Sequence, residues 1–303
     1  MKQSAGLVDF SAREQVRVTG EDRASFIHGM VTQEVNGLPE NAWTYAALCT
    51  AKGAMVADTR ILKLPGELLL DTEPGYGAKV REQLEKYLIS EDAELSEVNQ
   101  DRAVLAVIGP SAAEAVSKLQ GALPKGSEIA SLPGDILALS HGLYGVPTYE
   151  LYVPRAAVAE VKARLAIPEC GMDAFELLRI EAGVGRMGVD MLDTTIPLEA
   201  NLDRGISYNK GCYIGQEVIA RATFRGHVNK KLTGLKFDAA LPPSGAELRK
   251  NGKVIGRVTS VIDSPVHGRI GLGYVHRTLL DPNTELEVPE LTKAVVVSLP
   301  FGK

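Results

Sequence analysis

The segment NKGCYIGQEVIAR, Asn209 to Arg221, contains Cys212, one of only three cysteines in 303 residues. Gly211 and Gly215 flank it and let the backbone bend tightly. A thiol becomes a nucleophile or soft metal ligand when its pKa is lowered, which cations and helix amino termini achieve. Lys210 supplies a cation two positions before Cys212. GQEVIARATF has helical spacing, with Val218, Ile219 and Ala222 on one side. Cys212 is therefore expected just ahead of a helix start, near the positive end of its dipole. Glu217 is placed to cap first-turn amides, and Arg221 to fold back on the loop. The competing reading is a small buried hydrophobe, the state of most free cysteines. The flanking glycines and polar surround argue against it.

A second candidate is Glu181 in LRIEAGVGRMG. It stands near the end of a helix predicted over 172–182, with Phe175, Leu178 and Ala182 on one side. It either pairs with Arg179 or Arg186 at a wet helix end or points into a pocket. In a pocket, a carboxylate suits an N–C–N edge such as that of a pterin or guanine, through two parallel charge-assisted hydrogen bonds. GVGRMG (183–188) matches a dinucleotide fingerprint in letters only. That motif needs a strand before it and a helix after it. Here a helix precedes, and Asp190, Asp193 and Pro197 follow, so the glycines are read as loop-formers. His28, His141, His227, His267 and His276 have no carboxylate or second histidine at a useful spacing and are read as ordinary. RATFRGHVNKK carries Arg221, Arg225, Lys230 and Lys231. It is read as a solvated helix end and basic turn. The sharper alternative is an anion site for a polyglutamate tail or an RNA phosphate.

The net charge of −5 and pI near 5.7 leave no global field to draw the chain onto nucleic acid. The amino-terminal stretch has no apolar signal region, and no apolar run reaches ~18 residues, so neither secretion nor membrane insertion is expected. Cys49, Cys170 and Cys212 form no CxxC pair, which argues against a disulfide framework and a zinc ribbon. A reducing cytoplasm is the expected compartment.

These residues need elements to hold them. QVRV, WTYAALCT, MVADTRILKL, ELLLDT and AVLAVIG read as strands. Phe26, Ile27, Met30 and Val31 mark one helix face; Val80, Leu84, Tyr87 and Leu88 mark another. A looser series follows, with helices over 111–119 and 155–165 and strands over 135–140 and 149–153. Such grouping predicts α+β layers with largely antiparallel sheets. Residues 183–215 show little periodicity, and a stretch that long is more often functional than idle. After Lys231, short strands alternate with turns such as Asn251-Gly252. The expected organisation is an α+β body over 1–235 and a small β-barrel over 236–303.

KGCYIGQE resembles the signature of the YgfZ family of folate-binding proteins, which related mitochondrial iron–sulfur assembly factors share. RIEAG and IPLEANL resemble the central segment of the glycine-cleavage T-protein, an aminomethyltransferase. VTGEDRASFIHGMVTQEVNGL, AKGAMVADTRIL and GKVIGRVTSV with GRIGLGYVHR extend the likeness over nearly the whole chain. The resemblance implies a cloverleaf of two ferredoxin-like α+β lobes and a barrel, around a hole that binds tetrahydrofolate. Glu181 matches the glutamate that holds the pterin. Arg179, Gly211, Gly215, Gln216, Glu217 and Arg221 are further candidate folate contacts. Cys212 is implied to act as a thiolate assisted by Lys210, on a one-carbon or sulfur species or as a transient shared cluster ligand. Implied partners are iron–sulfur client enzymes or assembly factors, including those that modify tRNA. One departure stands out: the position of the T-protein's catalytic aspartate falls around Val80, with Glu82 the nearest acid. This argues against aminomethyl transfer in the T-protein's manner. If the chain is instead a transferase or demethylase, Asp190 or Glu217 would have to replace that acid. A folate-independent RNA- or protein-binding module is the third class.

Overall fold

The structure, a computed structural model, describes residues 1–224 and 226–302. The chain divides into two compact units, Met1–Met172 with Arg204–Gln216, and Asp173–Asp203 with Glu217–Lys303. The chain passes between the units three times.

The first unit contains β1 (Gly6–Asp9), β2 (Glu14–Thr19), α1 (Arg23–Met30), β3 (Ala42–Cys49), β4 (Met55–Leu64), β5 (Glu67–Thr72), α2 (Gly77–Glu85) and β6 (Glu94–Glu97). It continues with β7 (Arg102–Ile108), α3 (Ala112–Ser117), β8 (Ala130–Leu132), β9 (Ile136–His141), β10 (Thr148–Pro154), α4 (Val158–Leu165) and β11 (Glu169–Cys170). One sheet has the order β3-β4-β5-β2-β6 and the other β11-β1-β7-β10-β9-β8. All pairs are antiparallel except β1 with β11. The helical stripes find the sheets as their spacing requires. Phe26, Ile27, Met30, Val80 and Leu84 bury against Val16, Val18, Ile61 and Leu70. Ala115, Val116, Val161 and Leu165 bury against Leu7, Leu105, Leu151 and Val153. Strand β1 precedes the first sheet in sequence but pairs with β7 in the second, which interlocks the two lobes.

Strand β4 shows how the polar centre arises. Ala57 and Ile61 belong to the helix-covered core. Asp58 and Arg60, one residue out of phase, occupy the other face. There Arg60 Nη2 bonds Glu150 Oε1 of β10 at 2.6 Å.

The second unit holds α5 (Met172–Glu181), most of α6 (Gln216–Phe224) and a closed barrel. The barrel strands are β12 (Lys230–Phe237), β13 (Glu247–Lys250), β14 (Lys253–Ser264), β15 (Gly268–His276), β16 (Glu285–Val288) and β17 (Thr292–Val297). Its interior is filled by Leu235, Leu248, Val258, Val275, Leu286 and Val296. Ile180 of α5 packs with Leu232, Ile270, Leu272, Tyr274 and Phe301, which is why α5 groups with the barrel. Asn251 and Gly252 both take positive φ, 51° and 73°, in the hairpin the sequence predicts.

Candidate active site

The Cys212 loop lies in the first unit, in a returning segment laced to the residues after α1. Thr32 Oγ1 donates to Gly205 O at 2.5 Å, Ser207 N donates to Thr32 O at 2.9 Å, and Ile214 N donates to Gly29 O at 3.0 Å. Lys210 directs its ammonium to three carbonyls: His28 O at 2.5 Å, Val31 O at 2.8 Å and Gln33 O at 2.9 Å. These sit at the carboxy-terminal end of α1, where carbonyls lack helical partners and a cation is favoured. The expected thiolate-activating lysine is therefore committed to the backbone: all three of its N–H groups are used, and they pin the loop. Burial pushes Lys210 down to about 8, with Glu34 only partly opposing. Tyr213 is buried beneath it, its ring 5.0 Å from Nζ. Gly215 takes φ +87°, and a Cβ there would lie 2.7 Å from Thr50 O, so this position demands glycine. Cys212 itself is exposed, whereas Cys49 is buried and pushed up to about 12.

His28 belongs to the same cluster. Its Nδ1 lies 3.0 Å from Glu34 Oε1, and its Nε2 lies 3.9 Å from where a Gly211 Cβ would stand. Burial and Lys210 hold its pKa below the ordinary value, Glu34 opposing. Helical spacing does not signal this pair, because Glu34 comes after α1 has ended.

The first unit also has a cavity of about 430 Å³ lined by Trp43, Tyr45, Arg60, His141, Leu143 and Arg204. The Arg204 guanidinium lies 5.3 Å from the Tyr45 ring centre. Behind Arg60 is a buried ion cluster. Arg13 Nε bonds Asp71 Oδ2 at 2.7 Å, Tyr45 bonds Asp58 at 2.6 Å, and His141 Nε2 lies 3.1 Å from Glu150 Oε1. Burial acts to raise Glu150, yet Arg60 and His141 hold it down to about 2. For Asp58 and Asp71 burial wins and both are raised. Two arginines thus keep Glu150 ionised while burial favours the protonated form of the two aspartates. Trp43 Nε1 is buried without a protein partner. His141 is a diagonal neighbour of Glu150 across the β9–β10 hairpin, a relation visible only once the register is known.

In the second unit, Glu181 is buried at the end of α5 and accepts from Ser264 Oγ at 2.5 Å. Gly183 N bonds Ile180 O and Val184 N bonds Arg179 O, the pattern that ends a helix in a left-handed glycine. The fingerprint glycines therefore begin with a helix stop, and no helix opens after them. Arg179 is 1% exposed and bonds Asp190 Oδ2 at 2.7 Å, Ser260 Oγ at 2.9 Å and Glu176. It is an internal tie, a correction to its expected place among the folate contacts. Asp190 is fully buried; besides Arg179 it accepts from Arg186 N, Thr259 Oγ1 and Ser260 Oγ. With both oxygens occupied it cannot serve as the replacement acid.

Of the other expected residues, Gly211 is exposed and Gln216 half-buried, both in the first unit. Glu217 and Arg221 are exposed on α6 in the second unit and pair with each other at 2.6 Å, with Phe224 on the same exposed helix surface. Of the basic patch, Lys230 lies 3.8 Å from Glu199 and 5.2 Å from the Tyr274 ring centre. Arg225 falls outside the described residues. Val80 is fully buried in the α2 core, and Glu82 is exposed. Among the described residues no group of three or more His, Cys, Asp or Glu side chains is placed to hold a metal ion, and no helix is long and apolar enough to cross a membrane.

Residues 1–210 match the GCVT N-terminal domain, and residues 230–303 match the glycine cleavage T-protein C-terminal barrel domain. The chain belongs to the glycine-cleavage T-protein family. Within that family it is 29% identical to the aminomethyltransferase of Geobacillus sp. (strain WCH70), over 99% of this chain and 87% of the relative. It is 31% identical to the putative chloroplastic transferase At1g60990 of Arabidopsis thaliana, over 97% of this chain and 71% of that protein. Among solved structures, the aminomethyltransferase T of the glycine cleavage system from Bartonella henselae superimposes with a TM-score of 0.88 at 23% identity, covering 98% of this chain and 86% of that one. The T-protein fold is therefore shared along the whole chain.

Proposed function

We propose that this chain binds tetrahydrofolate and acts in folate-dependent one-carbon transfer, as the names of its aminomethyltransferase relatives suggest. The observation that carries the folate reading is Glu181: a buried carboxylate at the end of α5, fixed by Ser264. A carboxylate held at this helix end, with Ser264 already on Oε1, has the chemistry to meet an N–H of a pterin edge by a charge-assisted hydrogen bond. Taken by itself, the aromatic cavity of the first unit is a separate candidate place for a flat ring with an anionic tail. Trp43 Nε1 is an orphaned donor, and Arg60 and Arg204 supply cations. When bound, the folate would carry the one-carbon unit. The chain's own part would be to orient the rings and exclude water.

Two features favour a second reading, the YgfZ-type accessory role in iron–sulfur enzyme maturation and tRNA modification. The resemblance puts the T-protein's acid around Val80, which lies in an apolar core, and Asp190 has both oxygens occupied. Cys212 is exposed on a loop that Lys210 holds in place. In this reading the thiol, rather than an acid, meets the one-carbon or sulfur species.

Anaerobic titration calorimetry with tetrahydrofolate, on the wild type and Glu181→Ala, tests the shared premise. Loss of one charge-assisted contact should cost about 1.5–3 kcal/mol, roughly ten- to over a hundredfold in affinity. Equal binding by both forms would remove Glu181 from the site. Turnover with an aminomethyl or methyl donor then supports the transferase, and tight binding without turnover supports the accessory role.

A further inference from the structure

Two residues that line the first-unit cavity, Arg60 and His141, meet behind its wall on a single atom, Glu150 Oε1. We propose that this cavity takes an anionic ligand together with a proton: the ligand's carboxylate meets Arg60, and the proton goes onto the second oxygen of Glu150. This rests on the reading of the cavity as a place for a flat ring with an anionic tail, and adds what regulates it.

Arg60 Nη2 lies 2.6 Å and His141 Nε2 3.1 Å from Glu150 Oε1. The other oxygen, Oε2, is buried and has no partner among the described residues. Glu150 is 0% exposed and Arg60 5%, so water screens neither. His141 Nδ1 accepts from Leu143 N at 3.3 Å, so the ring proton is on Nε2 and is donated to Oε1. A second proton on this ring would cost the Leu143 bond, which leaves Glu150 as the proton acceptor. The other charges behind the wall are committed to one another. Arg13 bonds Asp71 Oδ2 at 2.7 Å and Glu73 Oε1 at 2.6 Å, and Tyr152 OH lies 3.1 Å from Asp71 Oδ2. Tyr144 meets His141 edge-on, 5.6 Å between ring centres, and Arg204 stands on the cavity side, over the Tyr45 ring. Burial acts to raise Glu150, and Arg60 is the strongest influence that holds it down to about 2.

An anion that reaches Arg60 from the cavity puts two carboxylates on one guanidinium. Two like charges about 4 Å apart, at an effective dielectric of ~20, oppose each other by roughly a thousandfold in an equilibrium constant. Protonating Glu150 removes that opposition. A buried O–H without a partner costs less than an uncompensated buried charge. One O–H bond forms at Oε2 with a proton from solvent, Oε1 keeps its two donors, and the ligand stays a carboxylate. No bond of the chain breaks. By reciprocity, the anion raises the proton affinity of Glu150 by the factor by which the proton raises the affinity for the anion. A thousandfold coupling moves the Glu150 midpoint from about 2 to about 5 in the complex, so the anion binds more tightly as pH falls toward 4.

Trp43 is the only tryptophan of the chain and lines this cavity, so quenching of its fluorescence reads the site. Pterin-6-carboxylate is titrated against the full chain, with uncharged pterin as the control. In wild type the carboxylate should bind roughly tenfold more tightly at pH 4 than at pH 7, and pterin equally at both. Glu150→Gln keeps an oxygen for Arg60 and His141 but removes the charge. At pH 7 it should tighten the carboxylate by roughly a thousandfold and leave pterin within about twofold. The wild-type profile decides the matter where this variant fails to fold. A flat wild-type profile, or a gain under about tenfold in folded Glu150→Gln, overturns the proposal and leaves the cavity reading intact. No quenching by either compound at either pH overturns both.

Discussion

Two cations from the two recognisable motifs meet opposite surroundings. At the end of α5, Arg179 faces Asp190 and Glu176, so charge meets charge in a buried, fully bonded cluster. In the cysteine loop, Lys210 faces only backbone carbonyls, with Glu34 as its one acidic influence. The first arrangement fixes a helix end permanently. The second holds a loop through a group that can give up its proton near neutrality. The contrast separates a framework cation from a latch.

Removing the acid at the α5 cluster should have the largest effect. Asp190→Ala leaves the buried Arg179 with Glu176 as its one carboxylate partner and strips Thr259, Ser260 and the Arg186 amide of their shared acceptor; breaking a buried pair costs up to about 3–5 kcal/mol. Urea unfolding would show it; a loss under ~1 kcal/mol would mean the cluster relaxes to water and is no framework. Gly215→Ala comes next, at about 1–3 kcal/mol, because φ +87° and the 2.7 Å approach to Thr50 O leave no room for a side chain. The smallest effect is the pH response of the latch. Burial pushes Lys210 down to about 8 in the folded chain, against its ordinary 10.5 in the unfolded one. Between those values the unfolded chain binds more protons, so stability should rise with pH across the window. Urea midpoints of wild type should gain on Lys210→Met from pH 8 to 10.5. Parallel curves would return the ammonium to an ordinary value and erase the distinction from Arg179.

Local pattern made much of this fold legible. The stripes of α1 and α2 and the Asn251-Gly252 hairpin are short-range signals, and each lies where its spacing put it. Strands β1, β8 and β11 are too short to show alternation, and the pairing of β1 with β7 is decided by distant partners. The same limit governs the site. Cys212 is exposed, as its glycines suggested. The inward turns of Arg179, Asp190 and Lys210 were not readable, because a charged letter does not say whether its partner is water or another residue. His28–Glu34 and His141–Glu150 were missed for a related reason: each pair is made by a turn or a register, not by a helical repeat.

The placement of β1 also sets a schedule for synthesis. Gly6–Asp9 emerge first but have no partner until β7, Arg102–Ile108, has left the ribosome. At roughly 5–20 residues per second that wait is on the order of 5–20 s. During it the sheet of β2 to β6 has all its strands and can close. The amino-terminal strand must therefore be kept open, and the second sheet is completed from both ends of its own chain segment. Residues 204–216 close the first unit later still, so the cysteine loop is the last piece of that unit to be made. Cys212 reaches its place only after the rest of its unit has been made.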